Sequence, residues 1–110
     1  MRNIVNIVNF IRAVEPRSNV DLLEPVLRQI DLLKEFDLPG TFLLQYDALL
    51  EPRFTEPVRG SGAELGFWLE IVQPLCEAAG LPWRGREGYS WDWHAHCGFS
   101  CGYAPREREL

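Results

Sequence analysis

The strongest constraint on the fold is an apolar run, a helix-like segment and a second apolar run in that order. Asn3 to Ile11 is rich in Ile, Val and Phe, and Leu22 to Phe36 has helical periodicity. Thr41 to Tyr46 is again apolar. A strand, a helix and a strand in succession are typical of a parallel pair joined by a crossover. The alternation therefore predicts an α/β fold with parallel strands, the first of them buried on both faces.

The helix prediction depends on apolar residues that recur at intervals of three and four. Pro25 falls in the first turn, where its missing N–H does little harm. Asp21 or Asn19 can cap the helix, and the segment 37–40 ends it. The residues of the apolar stripe are Leu22, Leu23, Val26, Leu27, Ile30, Leu33 and Phe36. Their spacing puts them on one face of an amphipathic helix.

The rest of the chain continues the alternation in shorter pieces. The predicted elements are short helical pieces in 47–59 interrupted by Pro52 and Pro57, a strand in 63–69, a helix in 71–79, a fourth strand in 90–96 and a helix opening at 105. About four strand–helix units make half of an eight-unit barrel, or the core of a smaller open sheet. We therefore expect 1–110 to be a single domain, the truncated N-terminal portion of a larger (β/α) barrel.

Composition excludes several classes of partner. Hydrophobic residues make up 46% of the chain, and the four Trp are typical of a folded protein. The net charge of −5, without a basic cluster, argues against nucleic-acid binding. No run approaches the roughly 20 apolar residues that span a bilayer, so no membrane partner is expected. Three Cys without a secretory signal predict reduced thiols and a cytoplasmic location.

Acidic residues follow the predicted strands, where parallel sheets usually form their sites. Glu15 and Glu70 are the candidates for general acid/base catalysis. Carboxylates also favour helix N-termini, so an ordinary capping role is the alternative for Asp47 and Glu70. Trp68 is expected in the core. The candidates for substrate binding are Arg12, Arg17, Asp47, Trp91 and Trp93, with a core position as the alternative for the two Trp.

The segment 91–96 has the sharpest local pattern. On a strand, Asp92, His94 and His96 would share one face. A carboxylate and two imidazoles can hold a divalent metal such as Zn²⁺, whose bound water attacks a carbonyl. Alternatives are a hydrogen-bonded His pair without metal, or a closed site that adds Cys97 and Cys101. For the two Cys, small buried thiols are the default interpretation.

Three segments resemble the polysaccharide deacetylase-like barrels of the glycoside hydrolase/deacetylase superfamily. Residues 40–44 (GTFLL) are similar to the family's "ATFF" strand, and residues 63–66 (AELG) to its "HEIG" strand. The helix 22–36 with the Leu-Pro that follows is similar to the family's helix and "GLP" lead-in. The family's Asp-Asp pair at the end of strand one and its H-x-x-x-H metal pair are absent here. The family's catalytic set therefore does not carry over.

The resemblance implies a carbohydrate or related small polar molecule as substrate. The leading hypothesis is a fragment of a carbohydrate-active hydrolase that uses a divalent metal, or otherwise no cofactor. A metal-free glycosidase with paired carboxylates is the first alternative. A non-catalytic carbohydrate-binding or degenerate barrel domain is the second. The sequence does not define an oligomeric state.

Overall fold

The structure is a computed structural model that describes residues 3–14 and 20–92. Its contacts divide the chain into two compact units. The first comprises Met1–Ala13 and Asp21–Trp68, and the second comprises Val14–Val20 and Leu69–Leu110. In the described residues, no helix has the length and apolar character needed to cross a membrane.

The first unit contains an open, three-stranded parallel sheet. Strand β1 is Val8–Ile11, β2 is Thr41–Gln45 and β3 is Glu64–Trp68, in the spatial order β1-β2-β3. Both pairs are parallel, and their register aligns Val8 with Thr41 and Thr41 with Glu64. Because parallel strands all start at the same edge of the sheet, each connection must bring the chain back to that edge. Helices form both connections here. The mixed α/β class and the parallel strands predicted from the sequence are therefore confirmed.

Helix α1, Glu24–Glu35, is the crossover between β1 and β2. Its predicted stripe is partly confirmed, because Val26 and Ile30 are buried while Leu27 is 40% exposed. The predicted Asp21 cap is present: Oδ1 accepts the backbone N–H groups of Leu23 and Glu24 at 2.9 and 3.2 Å. These are two of the donors that a helix N-terminus leaves unpaired.

Two short helices separate β2 from β3. Helix α2 is Tyr46–Leu49 and α3 is Pro52–Arg59. We expected Pro57 to interrupt the second, but it lies inside α3. Phe54 and Val58 are buried on α3 and belong to the core. Their burial offsets the hydrogen bond that proline cannot make.

The side chains on the two faces of the sheet differ in how deeply they are buried. Ile11, Phe42 and Leu44 lie on one face and pack in a core cluster with residues of all three helices. On the other face, Val8 is 42% and Phe10 is 59% exposed. The expectation that strand one is buried on both faces is therefore wrong. The physical reason is that all the helices of this unit contribute to the core on the Phe42 side.

The second unit is smaller and less regular in its described part. Helix α4 is Gln73–Ala78, and it ends at a turn where Gly80 has φ +68° and Leu81 N–H donates to Cys76 O at 2.8 Å. This left-handed glycine is a common helix stop. The predicted fourth strand begins differently from expectation. Residue Trp91 makes an isolated antiparallel bridge with Val72, and residues 93–96 lie outside the described part.

Candidate functional site

The carboxyl edge of the sheet carries a buried carboxylate in the first unit. Asp47 follows β2 directly, lies in the first turn of α2 and is 4% exposed. Its Oδ2 accepts the backbone N–H of Ala13 at 2.5 Å, across 34 residues of sequence. The carboxylate therefore joins the chain beyond β2 to the chain beyond β1. This contact is more than the ordinary helix capping that the sequence offered as the alternative role of Asp47.

A second buried polar side chain lies two residues earlier. Gln45 is the last residue of β2 and is 0% exposed. In the register of the sheet it pairs with Trp68, at the end of β3. Strand residues aligned in this way project to the same face. The carboxyl edge thus combines an amide, a carboxylate and an aromatic ring, and Arg12 lies one residue beyond the end of β1.

The sheet face that carries Phe10 has an aromatic pair. The rings of Phe10 and Trp68 meet edge to face, with centroids 4.9 Å apart and an interplanar angle of 61°. Gly66 lies on the same face, and a Cβ built there would come within 2.6 Å of Leu43 Cδ2. Trp68 is partly exposed, so the expectation of a core position is only partly met.

In the second unit, Glu70 is the acidic candidate nearest to a strand end. It lies two residues beyond β3 and is 7% exposed. Buried glutamates are rare in folded proteins unless they are paired. The burial of Glu70 is consistent with the site that its position predicted, and its general acid/base role stays a prediction.

Asp92 has a well-defined partner. It is 0% exposed, and its Oδ2 accepts two hydrogens from Arg86, one from the backbone N–H at 2.8 Å and one from Nε at 2.9 Å. The hydrogen bond and charge of Asp92 raise the pKa of the Arg86 guanidinium above its ordinary value. The guanidinium also lies over the Tyr89 ring, 4.4 Å from its centroid. Asp92 therefore already holds a cation through one oxygen, and that cation is an arginine.

The other predicted candidates are placed as follows. Trp91 is partly buried beside its bridge to Val72. Five lie outside the described residues, namely Glu15, Arg17, Trp93, His94 and His96. Among residues 3–14 and 20–92, no group of three His, Cys, Asp or Glu side chains could hold a metal ion. The metal-site prediction depends on the two histidines and stays a prediction.

A cavity of about 750 Å³ lies at the opposite edge of the first unit. Its lining includes Val8, Gly40, Thr41 and Glu64, which mark the amino ends of the strands. Thr41 Oγ1 donates to Glu64 Oε2 there at 3.1 Å. Parallel sheets form their sites beyond the carboxyl ends of the strands, because the helix N-termini and the loops converge there. We therefore place the candidate site at the carboxyl edge and not in this cavity.

Sequence reasoning missed the prominence of Gln45, Phe10 and Arg86, and it missed the contact of Arg86 with Tyr89. Gln45 was visible only as the polar end of an apolar strand, and Phe10 resembled an ordinary core residue. Arg86 and Tyr89 lie in a loop with Gly88, where φ is +80°. An arginine six residues before an aspartate carries no periodic signal, so only the folded loop reveals their contact.

No protein-family profile matches the chain, and neither a curated protein nor a solved structure is significantly similar to it. The site is therefore interpreted from its own geometry. The resemblance to deacetylase-like barrels stays a prediction from the sequence.

Proposed function

We propose that this chain is part of a carbohydrate-active hydrolase of the polysaccharide deacetylase-like type, with its site at the carboxyl edge of a partial (β/α) barrel. The observation that carries the proposal is the buried carboxylate of Asp47. It lies directly after β2 of a parallel sheet and accepts the Ala13 N–H that follows β1. Enzymes with parallel sheets place their catalytic and binding groups at this position.

The proposed roles follow from position and burial. Glu70 is the proposed general acid/base among the described residues. Glu15, which lies outside them, is the second candidate for that role. Hydrolysis adds water across the scissile bond: the hydroxyl goes to the electrophilic carbon and the proton to the leaving group. A carboxylate removes a proton from the water and a carboxylic acid returns one to the leaving group. For the first unit by itself, Asp47 and Arg12 are proposed as substrate-binding residues.

Metal dependence is a separate part of the proposal. Asp92, His94 and His96 are the proposed ligands of a divalent ion such as Zn²⁺, which would supply an activated water. Asp92 Oδ2 is held by Arg86, so a metal would have to bind the other carboxylate oxygen or displace that arginine. Metal analysis of the purified protein tests this part. Absence of bound metal, with unchanged activity in His94→Ala and His96→Ala, contradicts it.

The hydrolase proposal is tested with the purified chain and a panel of acetylated and unacetylated glycans. Release of acetate indicates a deacetylase, and release of reducing ends indicates the metal-free glycosidase alternative. Glu70→Gln should lower turnover at least about a hundredfold, the usual contribution of a general acid or base. Glu87→Gln, an exposed glutamate of the same unit, is the matched control. Absence of both products from every glycan contradicts a hydrolase.

A non-catalytic carbohydrate-binding domain is the second candidate function. One observation favours it: Asp47 Oδ2 already accepts a backbone N–H, as a structural carboxylate does. The first strand also ends in Ile11 and Arg12, where the resembling family has its Asp-Asp pair. Glycan binding that persists in Glu70→Gln, together with zero turnover in the wild type, distinguishes this candidate from the hydrolase.

A further inference from the structure

The loop before Asp92 holds an arginine in one orientation while leaving it largely exposed. Arg86 Nε donates to a carboxylate that is itself completely buried, at 2.9 Å. The Arg86 side chain nevertheless remains 61% exposed. A salt bridge between two exposed side chains is mobile and contributes little, whereas a buried partner with a second hydrogen bond fixes the geometry.

A second contact places the guanidinium over an aromatic ring. Tyr89 lies beneath it, with the guanidinium carbon 4.4 Å from the ring centroid. A guanidinium over an aromatic face is attracted to the electrons of the ring. The backbone N–H of Tyr89 donates to Arg86 O at 3.1 Å, which keeps the ring and the arginine on one turn. Both contacts of the guanidinium, with Asp92 and with Tyr89, therefore lie within the segment 86–92.

Because Nε faces Asp92, the Nη groups form the edge of the guanidinium that points away from it. Among the described residues, the hydrogen bonds that Arg86 donates come from its backbone N–H and its Nε. The terminal edge presents parallel N–H donors at the spacing of a carboxylate. Orienting such a group in advance reduces the entropy lost when a ligand binds.

We infer that Arg86 is the binding residue for the carboxylate group of an acidic sugar, held in place by Asp92 and Tyr89. Each carboxylate oxygen would accept one N–H from one of the two Nη groups, which makes a bidentate pair. That the carboxylate is carried by a sugar rests on the proposed function, and it narrows the substrate class to glycans that contain uronic acids. Asp92 is then a positioning residue for Arg86.

Binding is measured by calorimetry with monosaccharides, which no glycoside hydrolase can cleave, so turnover does not affect the result. Galacturonate is the probe and galactose its neutral counterpart. Galacturonate should bind at least about tenfold more tightly than galactose, the effect of roughly one charge-assisted contact. Equal binding of the two sugars, or no binding of galacturonate, overturns the inference. Tighter binding of inorganic phosphate overturns the assignment to a carboxylate.

Arg86→Lys is the main variant, because lysine keeps the charge and can still pair with Asp92 but lacks the planar fork. It should weaken galacturonate binding at least about tenfold and leave galactose unchanged. Tyr89→Leu retains both charged partners and removes the stacking face, so it should weaken galacturonate binding even if Arg86→Lys fails to fold. Arg28→Gln, an exposed arginine of α1, is the control. Wild-type affinity in either loop variant, with altered melting alone, shows a purely structural role and overturns the inference.

The outcomes separate this inference from the proposed function. Selective galacturonate binding without hydrolysis of any glycan refutes the hydrolase and leaves the role of Arg86 standing. Hydrolysis of neutral glycans without affinity for galacturonate supports the hydrolase and refutes the role of Arg86.

Discussion

Replacement of Asp47 by alanine should destabilise the first unit substantially, although no apolar core residue changes. The buried carboxylate accepts the Ala13 N–H at 2.5 Å and is 4% exposed. A hydrogen bond to a charged group contributes about 1.5–3 kcal/mol, and an orphaned backbone N–H costs a similar amount. These two costs describe the same lost contact and do not add. We therefore expect Asp47→Ala to lower the free energy of unfolding by about 2–3 kcal/mol.

Asparagine at the same position keeps an acceptor oxygen of nearly the same shape. Asp47→Asn should therefore cost less than Asp47→Ala, about 1 kcal/mol, because the acceptor oxygen stays and the charge assistance is lost. Urea unfolding followed by far-UV circular dichroism measures both changes, and the denaturant slope should stay constant if the unfolded state is unaffected. In thermal unfolding, each kcal/mol corresponds to roughly 4–8 °C for a domain of this size.

Asp31→Ala provides the control, since Asp31 is an exposed acidic residue on α1. Two results would refute the reasoning. One is an Asp47→Ala variant as stable as Asp31→Ala. The other is an Asp47→Asn variant as unstable as Asp47→Ala, because that equality would show that the acceptor oxygen does not carry the effect.

Two further predictions concern stability. The Nδ2 atom of Asn9 is buried without a hydrogen-bond partner in the described structure, so Asn9→Val should raise the free energy of unfolding by about 1 kcal/mol in urea; an unchanged midpoint would contradict this. The N–H groups of Leu23 and Glu24 lower the pKa of Asp21 below its model-compound value of 3.8. A lowered pKa stabilises the fold above that value, and the contribution is lost as pH falls through the folded-state pKa. Thermal melts below about pH 4 should therefore show a smaller acid-induced loss for Asp21→Asn than for the wild type; parallel losses would contradict the reasoning.

The elements with strong local signals were predicted well from the sequence. The apolar stripe of 22–36 gave α1 to within two residues at each end, because Asp21 and the turn at Asp37 delimit it. Asp37 has φ +48°, a conformation that stops a helix. β2 was predicted to within one residue, since it is apolar and bounded by Gly40.

The errors concern properties that depend on partners elsewhere in the chain. Strand one was predicted from Asn3, but the sheet pairs it only from Val8 onward. Its partner β2 begins at Thr41, directly after Pro39 and Gly40, so the earlier residues face a turn and not a strand. The exposure of Phe10 was also missed. Nothing local distinguishes an apolar side chain that faces helices from one on an uncovered sheet face.

The candidate site was predictable in position but not in its contacts. The rule for parallel sheets placed Asp47 at the carboxyl edge, and the structure confirms that location. Its bond to Ala13 spans 34 residues and leaves no local pattern. Asp92 was predicted as a metal ligand from alternation with His94 and His96. Its observed partner is Arg86, on a loop whose shape depends on a left-handed glycine.

The parallel order of the sheet also has a consequence for synthesis on the ribosome. Val8 pairs with Thr41, so the ribosome must add 33 further residues after Val8 before the partner of the first strand is made. At ordinary rates of translation this delay is roughly 2–7 s. During that interval Val8 and Phe10 have no neighbouring strand with which to pair. The carboxyl edge, which needs the ends of β1 and β2 side by side, therefore forms only after this delay.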